Sequence, residues 1–156
     1  MLKKILLALA LILVVFVIVV ALQPSNFRVT RSATFNAPDE AVFAQVNDFH
    51  KWAAWSPWAK LDPNAKNSFE GPAAGTGAAM SWAGNKDVGE GRMTITESRT
   101  NELIRIRLEF LKPFATVNLA EFTFKPAAET TTVTWSMTGT RNFFSKPSAC
   151  LWTATK

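Results

Sequence analysis

The sequence predicts an α+β protein: a seven-stranded antiparallel sheet with two short helices after its first strand, preceded by one membrane-spanning helix. Three observations predict it. Between Glu102 and Gly139 the chain runs through three segments in which apolar residues occupy every second position, the pattern of strands with one dry and one wet face. Four more turn-bounded strand candidates precede them, interrupted once by a stretch of helical spacing. Finally, Ile5 to Leu22 contains no charged or polar residue.

The central segments are the clearest. Ile104, Ile106, Leu108 and Phe110 share one face, with Arg105, Arg107 and Glu109 on the other; Phe122 and Phe124 alternate with Glu121, Thr123 and Lys125; Val133, Trp135 and Met137 alternate with Thr132, Thr134, Ser136 and Thr138. Lys112-Pro113 ends the first of them, because proline has no N–H for a ladder, and Pro126-Ala127-Ala128-Glu129 is expected as a turn. Three adjacent strands with one apolar face need a covering layer.

Upstream, Phe27 to Asn36 alternates, with Phe27, Val29, Ala33 and Phe35 on one side and Arg31 intruding on that face. Ala37-Pro38-Asp39-Glu40 starts a helix, with proline in the first turn and acids near the positive end of the dipole; Val42, Phe43 and Val46 carry its apolar stripe. A second helical turn is expected from Phe49 to Trp55, stopping at Ser56-Pro57. Strand candidates follow at Asn67–Gly71, Thr76–Ala83 and Val88–Arg99, with Gly84-Asn85-Lys86-Asp87 as a turn. Gly89 and Gly91 flank Glu90 inside the last of these, which marks a bulge or a close approach of another group. No helix follows them, so they form no phosphate loop.

The 18 residues from Ile5 to Leu22 would span about 27 Å as a helix, close to a bilayer core of about 30 Å. A cleaved signal peptide would have a shorter apolar core and a small-x-small site; the long β-branched core favours a retained anchor. Lys3 and Lys4 place the amino terminus on the cytoplasmic side and the domain outside an inner (cytoplasmic) membrane. The expected domains are therefore an anchor over 1–23, a globular domain over 24–146, and a short tail over 147–156.

The formal net charge is +5, and without Lys3 and Lys4 it falls to +3. The remaining basic residues do not cluster, and Arg105 and Arg107 share a face with Glu109, so the composition argues against nucleic acid as a partner. The single cysteine, Cys150, excludes an internal disulfide. One histidine, His50, and scattered acids supply neither a metal site nor a triad, so no catalytic residue, metal or cofactor is expected. Trp52, Trp55 and Trp58 put half of the six tryptophans within seven residues; such a cluster packs a corner, lines a pocket or sits at a membrane interface.

The order of elements, with Arg31-Ser32-Ala33-Thr34-Phe35, Ala37-Pro38, Trp52, Trp55-Ser56-Pro57-Trp58, Gly89-Glu90-Gly91-Arg92-Met93 and Thr132 to Gly139, resembles the helix-grip fold of the START-like, pollen-allergen-like (SRPBCC) superfamily. The resemblance, over about Phe27 to Phe144, is closest to bacterial polyketide cyclase/dehydrase-like members with an anchor. It implies a curved sheet gripping a long carboxy-terminal helix, with a cavity for a small apolar ligand such as a lipid, isoprenoid or polyketide. Candidate lining residues are Trp55, Trp58, Met80, Trp82, Met93, Ile106, Leu108, Phe110, Phe122, Trp135 and Met137; for each, plain core packing is the alternative. A cyclase or dehydratase, or a non-catalytic envelope interaction or stress-response protein, are the other functions it allows. The pattern breaks after Lys146: Pro147 to Lys156 has no helical period and reads as a truncated or frameshifted end. Without the helix, Phe110, Phe122, Trp135 and Met137 are expected to be partly exposed, and residues 24–156 poorly soluble or oligomeric.

Overall fold

The computed structural model describes residues 25–140 and a scatter of residues between 3 and 17. The chain divides into two compact units, residues 28–139 and residues 1–27 with 140–156. In the latter, the described residues between 3 and 17 are helical. No helix among the described residues is long and apolar enough to cross a membrane; most of the expected anchor's second half, and the tail over 147–156, lie outside them. So does the position at which a long carboxy-terminal helix would follow.

The sheet domain runs β1 (Asn26–Phe35), α1 (Asp39–Asn47), a 3-10 turn (Phe49–Lys51), α2 (Trp52–Trp55), α3 (Pro57–Leu61), β2 (Lys66–Glu70), β3 (Ala79–Ala83), β4 (Glu90–Arg99), β5 (Leu103–Lys112), β6 (Thr116–Ala127) and β7 (Thr130–Thr140). All seven strands form one sheet in the order β1-β7-β6-β5-β4-β3-β2. The pairs from β2 to β7 are antiparallel. Ser32 meets Thr134 and Thr34 meets Thr132 through their hydroxyls, so β1 runs antiparallel to β7 as well: its partner number falls by two as its own rises by two. The first strand thus joins the last, and every other neighbour is a sequence neighbour.

Two expectations are revised. The turn from Phe49 to Trp55 stops at Ser56 as expected, but a further helix follows it. Pro57 opens α3, at the first helical position where its missing N–H costs nothing, so three short helices and a 3-10 turn replace the two expected. Pro126 does not begin a turn. It pairs with Thr131 inside β6, and the turn shrinks to Ala128-Glu129, with Ala128 at φ 51°. Proline is tolerated there because β5 pairs β6 no further than Leu103 opposite Thr123, leaving β6 a single neighbour at Pro126.

The outer face of the sheet carries ion pairs, with exposed Val117 and Leu119 of β6 among them. Arg105 bridges Glu97 and Glu121 from the strands on either side, Arg107 pairs with Glu109, and Lys112 with Glu90. Glu90 and Glu109 stand on the wet face as alternation required. The glycine signal in β4 is both a bulge and a close approach. The β4–β5 register shifts at Glu90/Gly91, Gly89 has φ +68° with the Lys112 carbonyl where a Cβ would lie, and the Trp82 ring covers Gly91.

Candidate functional site

The inner face is built in rows across the strands. Met80, Met93, Leu108 and Asn118 stand opposite one another in turn, as do Trp82, Gly91, Phe110 and Thr116. Ile95, Ile106, Ala120 and Met137 make a third row, Ile104, Phe122 and Trp135 a fourth, and Phe124 and Val133 a fifth. Because pleating repeats every two residues, the strands deliver most of their apolar side chains to these rows, while Val117 and Leu119 of β6 stand opposite Glu109 and Arg107 on the outer face.

The helices cover one end of this face. Phe43 of α1 meets Phe124 edge-on with ring centroids 5.2 Å apart, and Trp52 meets Phe122 at 6.0 Å. Trp52 is fixed by its indole N–H, which donates to the Val46 carbonyl at 3.0 Å, and by Phe49 at 5.2 Å. Phe122 is consequently only 8% exposed, against the expectation that it would be open without a carboxy-terminal helix: Trp52 closes that end itself. Phe110, Trp135 and Met137 are half-buried, as expected, and Leu108 joins them.

Of the eleven lining candidates, the structure brings nine onto one face. Met80, Trp82, Met93, Ile106 and Phe122 are buried in the core cluster; Leu108, Phe110, Trp135 and Met137 form its half-covered margin. Trp82 is held by an indole N–H bond to the Val88 carbonyl and by Phe110 edge-on at 5.8 Å. Trp55 and Trp58 are not part of the face. Trp55 is 37% exposed, its N–H given to the Gln45 carbonyl and its ring tilted against Trp52. Trp58 is 55% exposed on α3; the new turn begun by Pro57 carries it outside the apolar cluster.

One inward residue escaped the sequence reading. Asn118 is 6% exposed, opposite Leu108, and its Nδ2 donates to the Met137 Sδ at 4.0 Å. Among the described residues its Oδ1 is buried without a hydrogen-bond partner, a state that costs about 1–3 kcal/mol. The signal was available: counting back by twos from Phe124 and Phe122 lands on Ala120 and Asn118.

A separate cavity of about 240 Å³ lies by β2, lined by residues including Phe49, His50, Phe69 and Glu70. His50 stacks on Phe69 at 4.0 Å, and its Nδ1 lies 2.9 Å from Asp48 Oδ1. Burial pushes the Asp48 carboxyl up, but hydrogen bonds from the His50 ring and backbone N–H, with the charges of His50 and Lys51, outweigh it and hold the group below its ordinary value. Glu70 is engaged outward by both Arg92 nitrogens at 2.9 and 3.0 Å. Among the described residues, the lining carries no serine, threonine, cysteine or lysine beside this imidazole. Among the described residues, no group of three histidine, cysteine or acidic side chains could hold a metal ion.

A seven-stranded antiparallel sheet curved around an apolar inner face, with short helices after its first strand, defines a helix-grip domain of the START-like, pollen-allergen-like superfamily. The chain belongs to the family described as polyketide cyclase / dehydrase and lipid transport, whose model matches residues 26–155. Solved structures of similar fold include protein CV1439 from Chromobacterium violaceum, at 17% identity and TM-score 0.56, covering 83% of this chain and 89% of that one. The di-domain ARO/CYC BexL from the BE-7585A biosynthetic pathway is similar at 18% identity and TM-score 0.58, over 81% of this chain and 40% of that one. Ginseng major latex-like protein 151 from Panax ginseng is similar at 10% identity and TM-score 0.53, over 74% and 80%. No protein of curated function matches the chain.

Proposed function

We propose that this protein is a membrane-anchored binder of a small hydrophobic molecule of lipid, isoprenoid or polyketide-like character, held on the inner face of the sheet. The observation that carries the reading is the half-covered margin of Leu108, Phe110, Trp135 and Met137 beside a core otherwise closed by Phe43 and Trp52. Pockets for such ligands are lined by aromatic and aliphatic groups with few polar ones, and that margin has this composition. The family's description, which includes lipid transport, supports the same class. Asn118 favours binding over proton-transfer catalysis, since an amide orients a ligand but has no titratable proton to exchange. The apolar run from Ile5 to Leu22 serves as a single-pass anchor in the inner membrane, with the sheet domain on the extracytoplasmic side.

Native mass spectrometry of the full chain, released from membranes, tests the ligand: a bound apolar species of defined mass is expected, and a chain that never carries one would overturn the reading. Alkaline extraction of membranes tests the anchor independently, with the protein expected to stay in the pellet.

A further inference from the structure

Among the described residues, the inner face carries a few polar side chains, such as Thr116 and Ser98, and one of them, Asn118, is both buried and not internally satisfied. Asn118 Oδ1 is buried with no partner among the described residues, while Nδ2 faces a thioether, a weak acceptor, at 4.0 Å. Exchanging the oxygen and nitrogen of the amide does not cure this. The oxygen would then face a sulfur with no proton to give, and the N–H group would be the orphan. An apolar side chain of the same shape would remove the penalty, so the amide is held against the fold's own preference.

Resting on the reading that this face binds an apolar molecule, we propose that Asn118 is its polar anchor and that the ligand is an alcohol: a hydrocarbon body over Leu108, Phe110 and Met137 with one hydroxyl at the Asn118 amide. A hydroxyl donates to Oδ1 and accepts from Nδ2 through one atom, so it satisfies the amide in either orientation. An ether or ester oxygen only accepts. A carboxylate offers no proton, and the residues facing Asn118 across and along the rows, Leu108, Ala120 and Met137, provide no cation to pair with it. Half-buried Leu108, Phe110 and Met137 place the open margin beside the amide, so the hydroxyl enters first and the chain follows along the rows.

The test uses the full chain in amphipol with n-alkan-1-ols from octanol to hexadecanol and their methyl ethers, titrated by calorimetry. The wild-type protein is expected to prefer an alcohol to its ether by about tenfold or more. In Asn118→Leu the preference is expected to vanish while ether binding persists; partition into amphipol cancels, because the same pair of ligands is compared in both proteins. The unliganded variant is also expected to melt higher than wild type. Equal binding of alcohol and ether to the wild type overturns the anchor, and that comparison needs no variant. A lowered melting temperature in Asn118→Leu overturns it too, since the fold would then be satisfying the amide. If neither series binds at all, the apolar-binder reading falls together with this one.

Discussion

The Trp82 indole lies directly on Gly91. A Cβ at position 91 would stand inside the van der Waals envelopes of Cζ2 and Cη2 of that ring and of the Glu109 carbonyl oxygen. The two residues pair across β3 and β4, so the bulge at Glu90/Gly91 and the burial of Trp82 are one feature. Gly91→Ala is expected to destabilise the domain by about 1–3 kcal/mol, the usual cost of overpacking, read as a lower urea midpoint at unchanged slope. Trp82→Leu in the same chain should restore only part of this, because the Glu109 carbonyl belongs to the backbone and cannot move aside. A double-mutant cycle measures that residue of cost.

Trp52 is the second keystone. It joins α2 to the sheet through Phe122 and to α1 through the Val46 carbonyl. Trp52→Ala should cost about 2–4 kcal/mol, somewhat below the range for a fully buried tryptophan because the ring is half-buried. Trp52→Phe should cost less, keeping the edge contact with Phe122 while leaving the Val46 carbonyl to water. Thermal melts of both variants check the order. Because the ring closes that end of the face, Trp52→Ala should also bind more of a hydrophobic dye than the wild type does.

The pH dependence of stability has a definite sign at Glu70. Hydrogen bonds from Arg92, and then its charge, hold the Glu70 carboxyl below a glutamate's ordinary value of 4.5. A group whose folded value is depressed stabilises the fold above its unfolded value and loses that contribution as pH falls through the folded one. Glu70→Gln should therefore lower the melting temperature slightly at neutral pH, and the gap to wild type should close as pH drops below 4.5. Both partners are exposed, so the gap should also shrink in high salt.

Much of this was legible in the sequence, for a definable reason. Strands β5 to β7 have one dry face, and period-two alternation follows their inward residues once a single one is known, whereas the bulge at Ile95/Glu97 breaks the count in β4 and turns Ser98 toward Ile104; Ile104, Ile106, Phe122 and Val133 are all buried where the pattern puts them. The glycines of β4 were readable because no side chain fits at Gly91. The helical stretch was harder. Local sequence marks Ser56-Pro57 as a break but does not say whether proline closes one helix or opens another, and the answer decided where Trp58 points. Asn118 was passed over for a different reason: a search for apolar residues on an apolar face does not stop at the polar one. Phe122 was judged by the cover expected from the carboxy terminus, whereas the cover comes from Trp52, seventy residues upstream.

The tryptophans give the sharpest separation between lining and surface. Trp58 is 55% exposed on α3, whereas Trp135 is half-buried beside Phe122 on the inner face. Substituting an exposed side chain away from special features usually changes stability by no more than about 0.5 kcal/mol, and Trp58→Ala should do no more than that and leave the affinity for an apolar ligand unchanged. Trp135→Ala removes a large aromatic surface from the open margin, so it should weaken binding at least tenfold, about 1.4 kcal/mol, while costing about 1–3 kcal/mol in stability. The two effects separate experimentally, since melting of the unliganded protein reports the packing and titration of the folded variant reports the ligand. Should Trp58→Ala weaken binding as much as Trp135→Ala, the ligand would be held by the helical corner rather than by the sheet, and the site would have to be moved there.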